Sequence, residues 1–180
     1  MSRVRYVPAE PADGESELVA RIRARRGGTL LNLDRMLLNS PPFARGWNAH
    51  LGAVRADLAL SPKLRELAVC AVAVLNDAEY ELEQHAPEFY RAGGTPAQVQ
   101  ALRELSATEA DTAAFDATES AVLRLTLEMT RDVRVTDATF ERVRSALADE
   151  RHVVELVGVI ATYNMVSRFL VALQVDPERG

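Results

Sequence analysis

The chain has 180 residues, 48% of them hydrophobic and 26% charged, which is enough for one sizeable globular core. A net charge of -5 argues against a nucleic-acid or anionic-membrane partner, since both require a basic face. The single cysteine, Cys70, excludes an intrachain disulfide, and the first residues lack the apolar stretch of a secretory signal, so a cytoplasmic protein is expected.

In chain order, residues 1–14 carry Pro8, Pro11 and Gly14 among polar residues and read as an extended or frayed arm. Residues 15–26 read as a short helix rich in Arg and Glu, broken by Gly27-Gly28. An amphipathic helix follows, with Thr29 as its cap candidate. Ser40-Pro41-Pro42 opens the next one, which carries Phe43, Trp47, Leu51 and Val54 on one face, suited to core or to a pocket wall. Ser61-Pro62 opens a helix in which no charge follows Arg65 and Glu66 until Asp77, and a helix apolar on all sides is a buried one. Its uncharged run is too short to span a bilayer.

From Ala78 to Ala92 the pattern changes: Ala78, Leu82, His85, Phe89 and Ala92 recur at helical spacing and mark an inward face. His85 lies mid-stripe, Glu81 one turn before it on the flank, and Glu79 and Glu83 point away. Gly93-Gly94 ends this helix. Thr95-Pro96-Ala97-Gln98 and Asp116-Ala117-Thr118-Glu119 are capping-box starts. The first opens a helix to Leu105, followed by a loop over 106–115, and the second a helix with Val122, Leu125 and Met129. Thr136 starts another, and the last helix, from Glu150 to Leu173, includes Tyr163, Asn164 and Arg168. Strand signals are absent and no phosphate-binding loop occurs, so the fold class is all-α. The expected layout is an arm and short helix over 1–28, one helical domain over 29–173, and a loose tail over 174–180.

Glu66, Glu81 and His85 place two carboxylates and an imidazole where a core normally holds only carbon. Burial raises the pKa of a carboxylate, and a neighbouring carboxylate raises that of a histidine, so such a cluster can hold and deliver a proton near neutral pH. The alternative is a satisfied core histidine, with Glu66 paired to Arg65 or Arg168. A metal site is the competing chemistry. The usual di-metal pattern places His three residues after Glu on two helices, however, whereas Glu81 and His85 are four apart with no second copy, so no metal is assigned. Trp47 serves packing or a substrate platform. Tyr163, Asn164 and Arg168 line a helix face that can orient a substrate carboxylate or pair two helices.

The run E-L-A-V-C-A-V-A-V-L-N-D-A-E-Y-E-L-E-Q-H-A-P-E-F-Y-R-A-G-G-T resembles the carboxymuconolactone decarboxylase superfamily, which includes the alkylhydroperoxidase D branch. The R-E-L-A start, Y-E-x-x-x-H, R-A-G and the spacing from Glu66 to His85 all match. The peroxidase branch has a CxxC before its histidine; here those two positions are Ala78 and Glu81, and the Tyr80-Glu81 pair resembles the decarboxylase-like branch. The resemblance implies a single-domain helical bundle of the alkylhydroperoxidase D-like type that assembles as a homo-oligomer, a trimer or hexamer. It also implies a cofactor-independent lyase or isomerase acting on a small anionic organic substrate. Glu66, Glu81 and His85 would be the catalytic groups, with Tyr80, Trp47, Tyr163, Asn164 and Arg168 at the substrate. An alkylhydroperoxidase-like oxidoreductase and a non-catalytic small-molecule-binding oligomer are the alternatives.

Overall fold

The computed structural model describes residues 2–10, 16–104 and 113–178. The junction expected between arm and first helix at 11–15, the helix end at Leu105 and most of the 106–115 loop lie outside the described residues. Among the described residues there are nine α-helices and no strand, which makes the fold all-α. The chain forms two compact units, Met1–Leu58 with Leu170–Gly180, and Ala59–Phe169.

The first unit holds α1 (Glu17–Arg25), α2 (Asn32–Leu37) and α3 (Pro41–Ala56). Ser16 caps α1, its hydroxyl accepting from the Val19 N–H at 3.3 Å. Helix α2 opens later than Thr29 because the Asp34 carboxylate accepts from the Leu31 N–H at 3.1 Å and makes Leu31 the cap residue. The same buried carboxylate is held by Arg26 at 3.2 Å. On α3, Ala44, Trp47, Leu51 and Val54 are buried, while Phe43 is 47% exposed and meets Trp47 edge-on instead of joining the core.

The two chain ends, expected to be frayed and loose, hydrogen-bond to each other. The Arg3 N–H donates to the Leu173 carbonyl at 2.9 Å, the Asp176 N–H to the Tyr6 hydroxyl at 2.8 Å, and that hydroxyl to the Asp176 carboxylate at 3.0 Å. The Asn32 N–H adds a bond to the Glu178 carboxylate at 2.8 Å. Backbone groups of an extended arm need partners, and the tail supplies them.

The second unit holds α4 (Pro62–Leu75), α5 (Glu79–Arg91), α6 (Pro96–Arg103), α7 (Ala117–Arg131), α8 (Asp137–Leu147) and most of α9 (Glu150–Leu173). Helix α4 is buried without interruption from Glu66 to Ala73, as its uncharged sequence requires, and packs against α5, α6 and α7. Asp77, at φ +52°, turns the chain from α4 into α5: the Ala78 N–H reaches back to the Ala73 carbonyl at 2.8 Å. This short turn folds α5 back along α4. Both capping boxes form: Thr95 with Gln98 at 3.1 and 3.2 Å, and Asp116 with Glu119 at 2.8 and 3.0 Å. Helix α9 has the length and composition of a membrane-crossing segment, but half of its most apolar window is buried within the protein, with Leu156, Val159, Ile160, Tyr163 and Val166 inside.

Gly93, at φ +98°, and Gly94 close α5, with the Gly94 N–H donating to the Phe89 carbonyl at 2.8 Å. A Cβ on Gly94 would collide with the Phe89 ring, which is fully buried and cannot swing away. Gly94→Ala is therefore expected to cost about 1–3 kcal/mol, read as a lower urea midpoint. An unchanged midpoint would show that this corner repacks freely.

Candidate active site

The hairpin of α4 and α5 brings together the three groups expected to act. Glu66 projects from α4, and Glu81 and His85 lie one turn apart on α5. All three are buried. Nδ1 of His85 lies 2.7 Å from Oε2 of Glu66, a short charge-assisted hydrogen bond, and Nε2 lies 3.3 Å from Oε2 of Glu81. The second approach does not make a hydrogen bond, because Oε2 of Glu81 has no donor aligned on it among the described residues. The Tyr163 ring from α9 stands edge-on to the imidazole, with centroids 5.0 Å apart and planes at 84°. The imidazole is thus fixed at Nδ1 by Glu66 and walled by Tyr163, with Nε2 as its remaining polar end.

Arg65 is the addition that sequence reasoning did not count as part of the site. Its Nε lies 3.0 Å from Oε1 of Glu66, so both oxygens of that carboxylate are engaged. The sequence offered it only as a partner of Glu66 in the reading of His85 as a satisfied core histidine. Burial pushes the Glu66 carboxyl up, but the hydrogen bonds and positive charge of His85 and Arg65 outweigh it and hold the group below its ordinary 4.5. The expected rise on burial is therefore reversed. Cys70, one turn after Glu66 and fully buried, moves the other way. Burial, followed by the nearby charges of Glu66 and Glu81, pushes its thiol from 9.0 up to about 12.

The lowered Glu66 has a consequence for stability. A carboxylate whose folded value lies below its unfolded value stabilises the protein above pH 4.5, and that contribution is lost as pH falls through the folded value. Glu66→Ala at neutral pH takes the carboxylate away from the half-buried Arg65 charge and from the buried His85 N–H. The expected loss is about 3–5 kcal/mol in urea unfolding, and it should shrink as pH falls below 4.5 toward the lowered native value. A loss that is the same at pH 7 and at pH 3 would contradict the pairing.

The remaining expected residues are placed as follows. Tyr80 is buried in the first turn of α5. Trp47 belongs to the other unit, buried in α3. Asn164 and Arg168 sit in a polar network of their own. The Asn164 amide donates to the Thr130 hydroxyl at 2.9 Å and to the Ile160 carbonyl at 3.0 Å, and its oxygen accepts from Asn76 at 3.1 Å and from Arg168. Arg168 also donates to the Asn164 carbonyl at 3.1 Å. This network joins the ends of α4 and α7 to α9. For the trio itself, each imidazole nitrogen faces a different carboxylate, whereas a shared metal needs all donors facing one point.

Residues 41–128 match the model of the carboxymuconolactone decarboxylase family. No curated protein matches the chain. Among solved structures it is similar to a peroxidase-related protein from Silicibacter sp. TM1040, at 20% identity over 99% of this chain and 95% of that one, with a TM-score of 0.75. It is also similar to an alkylhydroperoxidase AhpD core protein from Ralstonia eutropha JMP134, at 20% identity over 98% and 92%, TM-score 0.79. A third similar structure is the debrominase Bmp8 in complex with 2,3,4-tribromopyrrole, at 15% identity over 99% and 94%, TM-score 0.77. At these identities the likeness establishes the shared helical fold.

Proposed function

Since this chain belongs to the carboxymuconolactone decarboxylase-like superfamily, we propose that it is a cofactor-independent lyase or isomerase acting on a small organic substrate through acid–base chemistry at His85. The observation that carries this reading is the bond from Nδ1 of His85 to Glu66, which fixes the ring and leaves Nε2 as the end that moves a proton. In a decarboxylation, the bond from carbon to the carboxylate breaks, carbon dioxide leaves, and the electron pair stays on carbon as an enolate. The proton on Nε2 of the imidazolium passes to that carbon, and solvent restores it. In a double-bond shift the same nitrogen takes a proton from one carbon and returns it to another. Glu66, held in its charged form by Arg65 and His85, stabilises the protonated ring, and Glu81 lies beside Nε2 as a second acid–base group.

A peroxidase-type oxidoreductase, suggested by the peroxidase-related name of a structural relative, needs an accessible thiolate. The buried Cys70 is poorly suited to supply one. Assembly as a homo-oligomer belongs to the proposal: Val154, Gly158, Ala161 and Met165 form an exposed apolar face along α9.

The test is incubation in deuterated water with a panel of small lactones, β-keto acids and unsaturated acids, followed by NMR. Carbon dioxide release or deuterium entering a C–H bond, in the native protein and not in His85→Gln, is the expected result. Turnover that is equal in the variant, or absent across the panel, would overturn the reading.

A further inference from the structure

We propose that the cavity where α4, α6 and α7 end and α5 begins binds a small zwitterion, an amino acid with an aliphatic side chain. Glu66, Glu81 and His85 do not line this cavity, so the proposal is independent of the acid–base reading above.

The cavity holds about 290 Å³, at the small end of the range for ligand sites. Its apolar part comes from Ala73, Val74 and Leu75 in the last turn of α4 and from Ala78. Ala73 and Ala78 are buried, and Val74 and Leu75 are half-buried, so an aliphatic group meets a carbon surface here. Its charged part is two carboxylates, Asp77 and Glu79, and two guanidiniums, Arg103 and Arg131.

These four charges are not equivalent. Glu79 and Arg103 satisfy each other through two bonds, at 2.7 and 3.3 Å. Asp77 and Arg131 have no side-chain partner among the described residues, and they do not pair with each other. Asp77 is set in place by its left-handed backbone, at φ +52°, in the turn that joins α4 to α5. Helix α4 ends beside it with no basic residue in its last turn, so the carbonyl end of that helix adds to the carboxylate and favours a cation. Helix α5 begins on the same rim, and Glu79 and Glu81 in its first turn answer its own positive end. Arg131, the last residue of α7, offers the planar fork that a carboxylate takes bidentately. A ligand carrying both an ammonium and a carboxylate completes both unpaired groups. The four rim charges cancel, so such a ligand leaves the site neutral. A simple anion would lie near Asp77 with nothing to offer it, and a simple cation would stand in the same relation to Arg131.

Calorimetric titration of the full chain with L-leucine, N-acetyl-L-leucine and L-leucinamide tests the proposal. The second compound lacks the ammonium and the third lacks the carboxylate. L-Leucine is expected to bind at least about fivefold more tightly than either. It should also exceed glycine, which leaves the carbon surface uncovered, by at least about threefold. In Asp77→Asn, where asparagine keeps the left-handed backbone, the advantage over N-acetyl-L-leucine should fall below about twofold. In Arg131→Gln the advantage over L-leucinamide should fall in the same way. No binding of L-leucine at concentrations up to about 10 mM overturns the proposal. So does equal binding of glycine, of N-acetyl-L-leucine or of L-leucinamide, or a preference that survives in the variant lacking its charge.

Discussion

Replacing His85 with glutamine is expected to lower turnover by about 10²–10⁴-fold while leaving the fold in place, because glutamine can donate to Glu66 but cannot move a proton. The geometry behind this is specific. The imidazole is held at Nδ1 by a 2.7 Å bond to Glu66 and flanked by the Tyr163 ring, so both orientation and tautomer are set before a substrate arrives. A glutamine side chain preserves much of the volume and one donor, so thermal unfolding should shift by only a few degrees while the reaction stops. Rates follow the loss of a titrating group and stability follows packing, so the two readouts part company. A variant that retains turnover within about threefold would move the chemistry away from His85.

Labelling of Cys70 by iodoacetamide in the native protein is expected to run at least about a thousandfold slower than in the urea-unfolded chain. A thiol raised from 9.0 to about 12 is about a thousandfold poorer in thiolate at neutral pH, and the thiolate is the reactive form. Full burial removes access as well, which lowers the rate further. The same reasoning applies to peroxide: sulfenic acid formation needs the thiolate and a route to it. Cys70→Ala should therefore leave the lyase or isomerase turnover unchanged. Fast native labelling, or activity that disappears with Cys70, would favour the oxidoreductase alternative. The charges that raise this thiol, Glu66 and Glu81, are the carboxylates of the proposed acid–base site, so one arrangement that suits proton transfer disfavours thiol chemistry.

Local pattern carried most of the fold. Pro62 and Pro96 at the starts of α4 and α6, the capping boxes at Thr95 and Asp116, and the uncharged face of α4 all report on their own neighbourhoods, and each element stands where the pattern put it. The pairing of Glu66 with His85 was legible because both lie on inward faces of consecutive helices joined by a short turn. What escaped depends on partners far away in the chain. Tyr6 and Asp176 are 170 residues apart, and no periodicity announces that they meet. Phe43 fits the apolar spacing of α3 as well as Trp47 does, yet it ends 47% exposed, since spacing names a face and not what covers it. Asn164 and Arg168 read equally as substrate contacts or as a pair between helices, and the amide and guanidinium are engaged by Thr130, Asn76 and Ile160 and by each other. The direction of the Glu66 shift was missed for a related reason. Burial was visible in the sequence and Arg65 was one of the partners it offered for Glu66, but the rise expected on burial was not weighed against that pairing.

The most direct measurement is nitrogen-15 NMR of the His85 imidazole in the full chain, read for which ring nitrogen carries the hydrogen shared with Glu66. If Glu66 holds the ring, Nδ1 gives the signal of a nitrogen that carries a hydrogen. In Glu66→Gln that assignment should loosen, with both tautomers present. A native ring whose Nδ1 carries no hydrogen would contradict proton transfer through Nε2 at this site.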